Sequence, residues 1–521
     1  MKVKKILCLF YIFSQIALAQ NPINNIRWAK VLSSDFVYGN TDLMQTDNEG
    51  NLVLLETFVG NIKLDHSIII PNSGLSNVIL KFDSTGNLLF SKVIGQGSNK
   101  RGLAVDNMNN IYASYYSNSN STTTIIEKLN SNGSFIWKDS VINNNGGPNW
   151  YLNVLTAGNN GEIYYTDQMG SSFPVYFNTD SIFFLDSTKV SFMLLKINST
   201  GNLSKAAVFY SKDTNAIGIT GPEVDAFKFN KIANELFISG DETLGRLILG
   251  NDTIGELTNF IFRMDTSFNL LNKYLYSLSS NGIRNISFDQ NNNVYTSGNY
   301  SGGMDVIEQD TCRTYPSGGF IIKFDQNLTH QWHRFVVNNS QIVNINSSSS
   351  NSEGNFFLTT EHQSDSVILK FDKNGNLRWR LAFPNQHTGN DQFLVSCNSN
   401  QLFGDIRMFG PLTIKGTTYT PDSSSFLLFE MTDPDSLNSV TIINSDIFNI
   451  FPNPATNQLH LTLNKNIKDG EVNIFNVMGE KVYADLITGN EKTINYRLAA
   501  GVYFVRVTSE ERVWVEKLVV E

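Results

Sequence analysis

The sequence predicts an all-β protein in two parts, a long repetitive body followed by a small sandwich, and three observations carry this prediction. Hydrophobic residues make up 41% and aromatic residues 12% of the 521 residues, whereas charged residues reach only 17%, below the roughly one quarter of an average globular protein. Apolar and polar residues alternate between turns rich in Gly, Asn and Asp, which is the pattern of half-buried strands. Two short motifs recur along most of the chain, which indicates a repeat architecture.

The repeats set the organisation of the body. The first motif places apolar residues around a basic residue, and an Asp or Asn and a glycine turn follow, as in Lys81-Phe82-Asp83 before Gly86. Successive copies lie about 58 residues apart. The basic residues of six copies are Lys81, Lys128, Lys196, Arg263, Lys323 and Lys370, and a degraded seventh copy spans Leu428 to Met431. A second motif, a polar turn followed by a strand, alternates with the first, and its strands begin at Leu52, Ile111, Ile163, Leu236, Val294, Phe356 and Leu402.

Each repeat has the chemistry of a four-stranded antiparallel blade. The D-x-x-G-N segment predicts a hairpin whose glycine takes the left-handed conformation. The strand before it is apolar on both faces, as in Phe192 to Leu195, so both faces must be covered. Blades stacked around an axis provide that cover. The sequence therefore predicts a β-propeller over residues 26–440, of seven four-stranded blades, with six or eight blades as the nearest alternatives. The units resemble the propeller repeats of exported Bacteroidetes proteins, which implies a scaffold and no activity.

The two ends of the body predict how the ring closes. The segment from Arg27 to Leu32 resembles the blade-ending strand from Leu377 to Leu381, yet no full blade precedes it. The last unit, from Phe393 to Met431, lacks such a Trp-bearing strand. We therefore expect the N-terminal strand to complete the last blade, which would remove two exposed sheet edges.

The N-terminus predicts export. Lys2, Lys4 and Lys5 form a basic stretch, an apolar segment follows, and Ala17-Leu18-Ala19 is a small-residue cleavage site. This arrangement is typical of a secretory signal peptide, here residues 1–19. The apolar segment is shorter than the roughly 20 residues that span a membrane.

The C-terminal segment, residues 446–521, alternates with period two and predicts a small β-sandwich. It carries four ordered motifs: Phe451-Pro452-Asn453-Pro454, Ile474-Phe475-Asn476 before Gly479, Leu498 before Gly501 and Tyr503, and Lys517-Leu518-Val519-Val520. Together they resemble the type A sorting domain of Bacteroidetes type IX secretion substrates.

That resemblance implies an immunoglobulin-like domain that the type IX secretion machinery recognises at the outer membrane. It also implies later removal of the domain, often with attachment of the protein to surface lipopolysaccharide, and hence a secreted or cell-surface location. The sorting-motif residues are Pro452, Asn453, Pro454, Gly479, Gly501, Tyr503 and Lys517.

Two segments resemble metal sites. His330 and His333 form H-x-x-H, but residues three apart in a strand point to opposite faces, so we expect no shared metal. Asp289, Asn291 and Asn293 begin like a calcium loop, but the glycine and the final glutamate of such a loop are missing. Because the same turn recurs in other units, we interpret it as an Asx-type turn.

No catalytic, cofactor-binding or metal set stands out in the sequence. It contains no G-x-S-x-G element, phosphate loop or H-E-x-x-H motif. The net charge is −9, and no basic run follows the signal peptide, which disfavours nucleic-acid binding. Cys312 and Cys397 lie in different repeats, and their spacing leaves open whether they pair.

Three functions therefore stand for the body: a non-catalytic binding module for a glycan or a protein, an extracellular glycosidase-like enzyme with its site at the channel mouth, and a structural surface-layer component. A glycosidase needs only two carboxylates roughly 5–10 Å apart, which a linear sequence does not reveal. Polar segments at Ser117–Thr124, Asn143–Trp150 and Gly298–Tyr315 resemble binding loops on a rigid scaffold. They favour the binding module.

Overall fold

The computed structural model gives the protein as strands joined by turns, with one 3-10 helix at Pro22–Asn25 among the described residues. The predicted signal peptide, Gly479 and Cys312 lie outside those residues. The structure describes residues 22–37, 43–72, 74–96, 100–117, 122–143, 155–169, 174–183, 191–212, 223–249, 252–276, 282–301, 306–307, 310–311, 317–336, 345–362, 365–384, 386, 395–398, 400–422, 424–434, 448–476, 480–509 and 512–521.

The chain divides into two compact parts, Met1–Ser436 and Leu437–Glu521, here called the body and the tail. Within the described residues, the body contains seven groups of four strands, called units 1 to 7, in which each strand is antiparallel to its neighbours. The strands are Leu43–Thr46, Leu52–Val59, Leu75–Phe82 and Leu88–Gln96 in unit 1; Lys100–Val105, Ile111–Tyr116, Thr123–Leu129 and Phe135–Asn143 in unit 2; Leu155–Ala157, Ile163–Met169, Ser191–Ile197 and Leu203–Lys212 in unit 3; Glu223–Asn230, Glu235–Leu249, Asp252–Met264 and Leu270–Tyr276 in unit 4; Ile283–Phe288, Val294–Ser301, Ser317–Phe324 and His330–Val336 in unit 5; Ile345–Ser350, Phe356–His362, Asp365–Phe371 and Leu377–Phe383 in unit 6; and Val395–Asn398, Gln401–Met408, Ser424–Thr432 and Ile26–Ser34 in unit 7.

Short extra strands lie between the second and third strands of several units. They are Ile62–Leu64 and Ser67–Ile70, Val175–Phe177 and Asp180–Phe183, Val306–Ile307 and Asp310–Thr311, and Leu412–Ile414 and Thr417–Tyr419, with Phe36–Val37 beside Leu52–Val59.

The N-terminal strand completes the last unit, which confirms the predicted pairing. Ile26–Ser34 runs antiparallel to Ser424–Thr432, with Trp28 opposite Glu430 and Val31 opposite Leu427. The first strands of successive units are neighbours, and the first strand of unit 7 also neighbours that of unit 1. The first strands of the described units therefore follow one another in a closed order.

The predicted hairpin turn is confirmed in its details. Asp83 accepts hydrogen bonds at Oδ1 from the backbone N–H groups of Thr85 and Asn87, at 2.8 and 2.9 Å. Gly86 has a φ of 85°, a conformation that costs glycine little. Asp289 makes the same bonds to Asn291 and Asn293, so its predicted Asx turn is confirmed as well.

Several units are joined to the next by donors from the third and fourth strands that reach one turn of the next unit. In unit 2, Trp137 Nε1 and Lys128 Nζ both donate to the carbonyl of Ser199 in unit 3, each at 3.1 Å. Gly201 leaves room for the indole, since a Cβ there would lie 3.3 Å from the ring. The same join links Trp332 and Lys323 to the carbonyl of Lys373, Lys81 to that of Ser131, and Trp28 to that of Ser84.

The tail consists of the strands Phe448–Phe451, Gln458–Asn476, Lys481–Asn495, Gly501–Ser509 and Arg512–Val520. Alternate residues of these strands form its core, as the period-two pattern predicts. Leu459, Leu461, Val472, Ile474, Val505 and Val507 are fully buried. In the described part of the chain, no helix has the length and apolar character needed to cross a membrane.

Candidate functional site

The first and the last of the predicted sorting motifs meet at one edge of the sheet of the tail. The Asn453 side chain donates from Nδ2 to the carbonyl of Lys517 at 2.6 Å and accepts at Oδ1 from the N–H of Val519 at 2.8 Å. The backbone then continues as a parallel bridge between Ala455 and Val520. The Asn453 side chain therefore holds the Pro-rich segment against the terminal strand, here called the Asn453 clamp. The sequence motif contains this residue but does not indicate its role.

The remaining sorting residues take different positions. The Tyr503 ring lies in the core, and its hydroxyl donates to the carbonyl of Ala499 at 2.9 Å. Gly501 begins a strand and is exposed, and a Cβ there would meet no atom closer than 3.7 Å. The exposed Lys517 lies opposite Phe504 in the sheet. Pro452 and Pro454 each follow a cis peptide bond.

No sequence motif indicates an apolar surface on the tail. Val502 and Phe504 are exposed by 36% and 41% on the strand beside the terminal one, and Phe451 is 51% exposed. Soluble domains expose single apolar side chains routinely. Two of these residues nevertheless lie beside the sorting motif residues Lys517 and Pro452.

At one end of the body, amide side chains form hydrogen bonds that link neighbouring units. This end, here called the turn side, carries the turns between the first and second strands of the units. Asn48 donates to the carbonyl of Asn107 at 2.8 Å, Asn107 to Asn159 Oδ1 at 3.0 Å, and Asn159 to the carbonyl of Lys231 at 2.8 Å, which links units 1 to 4. The Asn230 side chain donates to Asn292 Oδ1, and the backbone N–H of Gln290 donates to the carbonyl of Ser352, which extends the chain of bonds to unit 6. The turns at this end satisfy one another.

The opposite end, the loop side, carries a buried ionic cluster between units 2 and 3. Both terminal nitrogens of Arg101 donate to the Asp167 carboxylate, at 2.8 and 2.9 Å, and Nη1 also contacts Tyr165 and Thr124. Burial opposes the charge of Arg101, which is 1% exposed, but attraction to Asp167 keeps its pKa above the ordinary value. Burial raises the pKa of Tyr165. The cluster joins two units and leaves its acid and base committed to each other.

A second ion pair, between Lys100 and Glu56, joins units 1 and 2 at the same end. Both side chains are buried. Glu56 Oε2 and Arg101 Nε have no hydrogen-bond partner within the described residues. The loop side thus holds two buried ion pairs that join neighbouring units, and no sequence motif marks either pair.

The predicted orientation of the two histidine side chains was wrong. His330 Nε2 lies 3.1 Å from His333 Nδ1, so the two rings meet instead of pointing to opposite faces. The cause is a β-bulge, because His330 pairs with Phe324 whereas Trp332 pairs with Lys323, which leaves Gln331 as an extra residue that shifts the alternation. Among the described residues, no third His, Cys, Asp or Glu joins the pair in a metal-binding group.

Several predicted loop residues lie outside the described part of the chain. These are 118–121, 144–150, 302–305, 308–309 and 312–316 within the three polar segments. The pairing of Cys312 with Cys397 also lies outside what is described, since the Cys397 side chain is not described either.

Comparison with known proteins identifies the tail. Residues 449–521 match the family model of the secretion system C-terminal sorting domain, which confirms the predicted resemblance and indicates export to the cell surface or the medium. No curated protein matches the chain.

Three solved structures are similar to the chain, each at 10% identity. A Bacteroides caccae protein of unknown function has a TM-score of 0.32 over 58% of this chain and 89% of its own. One of two prolyl endopeptidases has 0.39 over 94% and 54%, and a Lactobacillus plantarum protein has 0.40 over 76% and 98%. Likenesses this distant carry no function over to the chain.

Proposed function

We propose that the chain is a type IX secretion substrate whose body is a seven-bladed β-propeller that binds a glycan or a protein outside the cell without catalysing a reaction. In this account residues 1–19 are a signal peptide, residues 26–440 are the propeller and residues 446–521 are an immunoglobulin-like sorting domain. After export, the tail is removed and the body is released or attached to surface lipopolysaccharide.

The match of residues 449–521 to the sorting-domain family carries the proposal of export. The Asn453 clamp supports it, because it joins the first and last sorting motifs into one surface that a receptor can read together. A receptor that reads both motifs distinguishes the folded tail from an unfolded one.

Three observations support the propeller. The first strands follow a closed order, the N-terminal strand completes unit 7, and paired donors join successive units through equivalent turns. Each is expected of blades stacked around an axis.

The difference between the two ends of the body supports a binding role for the loop side. At the turn side asparagine side chains link neighbouring units, whereas the loop side carries the extra strands between the second and third strands of units 1, 3, 5 and 7. Arg101 and Asp167 are committed to each other, which favours a rigid platform over acid–base chemistry.

Deletion of residues 446–521 in the native host tests the export. We expect the truncated protein to accumulate in the periplasm, with none on the surface or in the medium. Normal surface delivery of the truncated protein would contradict the assignment.

A glycan panel tests the proposed activity of the purified chain, with binding and the release of new reducing ends followed in parallel. We expect binding without cleavage. Cleavage of a glycan that a single carboxylate substitution on the loop side abolishes would replace the binding module by the alternative, a glycosidase-like enzyme.

A further inference from the structure

One lysine breaks a pattern of neutral residues on the first strands of the body. In units 1, 2, 3, 5 and 6, one first-strand residue pairs with the second residue of the second strand. In unit 4, whose second strand begins one residue earlier in the repeat, Lys228 pairs with the third residue, Phe237. These residues occupy equivalent positions beside the axis of the proposed ring. In units 1 to 6 these residues are Gln45, Ala104, Thr156, Lys228, Ser287 and Ser349. Within these six, only Lys228 carries a charge, and it has the longest side chain.

Lys228 has no counter-ion in the described part of the chain. Its ammonium group makes neither a hydrogen bond nor an ion pair with any described residue, although the side chain is half-buried. Burial lowers the pKa of Lys228, and the positive charge of Lys231 lowers it further. A half-buried ammonium group beside a second cation is costly without an anion, and it is unexpected in a chain with a net charge of −9.

Lys231 lies at the turn side of the body. It belongs to the turn after the first strand of unit 4, and its Nζ donates to the carbonyl of Val105 in unit 2 at 3.2 Å. The side chain therefore reaches past unit 3, whose Asn159 binds the Lys231 carbonyl. Its position places a positive charge at the turn side, where asparagine side chains link units 1 to 4. Burial lowers the pKa of Lys231, and the nearby carboxylate of Asp106 offsets part of that effect.

Neutral hydrogen-bonding groups accompany the two lysines. Ser287, at the equivalent position of unit 5, has a buried Oγ without a hydrogen-bond partner among the described residues. Ser349 and Gln45 add a further hydroxyl and an amide at this level. Cations combined with neutral donors and acceptors suit a sugar that carries an acidic group, because its hydroxyls need partners of their own.

We propose that Lys228 and Lys231 form an anion-binding floor in the channel that receives the carboxylate or sulfate group of an acidic glycan. This inference rests on the proposed binding role of the body and names the ligand class. The acidic sugar enters from the loop side, and its charged group reaches the lysines near the turn side.

Titration of the purified full chain with a sulfated oligosaccharide, a uronic acid oligosaccharide and a neutral oligosaccharide of the same length tests the proposal. We expect at least one acidic probe to bind at least tenfold more tightly than the neutral one, and less tightly at high salt. Lys228→Gln should weaken acidic binding at least tenfold. Lys138→Gln, the same change on an exposed outer strand, should leave it unchanged.

Equal affinity of Lys228→Gln and the unaltered chain for the acidic probes would overturn the proposed anion site. Binding of the neutral probe alone would overturn it too, while leaving the binding module intact. Tight binding of an acidic peptide but of no glycan would overturn the assignment of a sugar ligand.

A second measurement does not depend on the glycan or on the variant. Acetic anhydride labels Lys228 of the unaltered chain, and mass spectrometry follows the rate with and without inorganic sulfate. We expect sulfate to slow labelling of Lys228 at least threefold and that of Lys138 not at all. Equal protection of the two lysines would contradict an anion site, whatever the chain binds.

Discussion

Unit 7, assembled from both ends of the body, differs from units 1 to 6 at one position of the third strand. In those six units this residue is the basic residue of the first repeat motif: Lys81, Lys128, Lys196, Arg263, Lys323 or Lys370. Its side chain reaches the turn of the next unit. In unit 7 the residue is Glu430, opposite Trp28. Glu430 is fully buried. Neither carboxylate oxygen has a hydrogen-bond partner of good geometry among the described residues, but the side chains of Arg27 and Gln401 lie close enough to lower its pKa.

The difference has an electrostatic consequence. Lys128 donates to a carbonyl of the next unit, whereas an ionised carboxylate has no proton to donate. Arg27 Nη1 lies 3.5 Å from Glu430 Oε1, but its side chain is largely exposed. Burial raises the pKa of Glu430 to about 7, and Arg27 offsets only part of that effect. Unit 7 is therefore held together by strand pairing and apolar packing, and the buried carboxylate of Glu430 opposes the pairing of its two ends.

Deleting residues 26–32 should have the largest effect on this closure. The segment buries Ile26, Val31 and Leu32, each worth roughly 1.5–3 kcal/mol, and its loss exposes two sheet edges. We expect the body to lose at least ~5 kcal/mol, measured by chemical denaturation. Lys30→Ala removes only a surface ion pair with Asp65 and should cost under ~1 kcal/mol. An unchanged unfolding curve for the deletion would show that the strand does not hold the ring closed.

The aromatic positions of units 6 and 7 should differ by a smaller amount. Trp379 is 3% exposed and donates to Asp433 at 3.1 Å, so Trp379→Ala should cost about 3–5 kcal/mol. Trp28 is half-buried, so Trp28→Ala should cost about 2 kcal/mol. Equal losses in the two variants would remove the distinction between these units.

Glu430 should make the stability of the body depend on pH. Its pKa in the folded protein, about 7, lies above the ordinary value of 4.5, so the folded state holds the proton more tightly than the unfolded chain. Stability should therefore fall as the pH rises from about 4.5 to 7 and level off above, by up to ~3 kcal/mol in all. Glu430→Gln should be more stable than the unaltered chain at pH 8 and lose this part of the pH dependence. A pH profile identical in the two proteins would contradict the buried charge.

The smallest effect is expected at an ordinary join. Lys323 donates to the carbonyl of Lys373 at 3.1 Å and lies 5.0 Å above the Tyr295 ring. Lys323→Met should cost about 1 kcal/mol, equally at pH 5 and pH 8. A loss as large as that of Trp379→Ala would show that the basic residue, and not the aromatic one, dominates the joins between units.

The sequence predicted those features that local chemistry determines. The turn at Asp83 and Gly86 follows from bonds between residues at most four apart, so its motif is legible in the chain. The pairing of Ile26–Ser34 with unit 7 was also predictable, because the strand carries the Trp pattern of a fourth strand without three strands before it.

Features set by distant partners were not predictable in this way. The bulge at Gln331 depends on the register with the neighbouring strand, and it reversed the expected separation of His330 and His333. Asn453 binds backbone groups of Lys517 and Val519, more than sixty residues away, so its motif is visible but its role is not. The contact of Lys231 with Val105 leaves no local pattern at all.

Export directed by the folded tail is the central claim, and a fusion protein tests it most directly. A fluorescent protein carrying residues 1–21 and 446–521 is expressed in the native host, and its amounts in periplasm, cell surface and medium are measured. The account predicts delivery to the surface or the medium, with Asn453→Ala in the fusion reducing it because the clamp onto the terminal strand is lost. Retention of the unaltered fusion in the periplasm would contradict the claim.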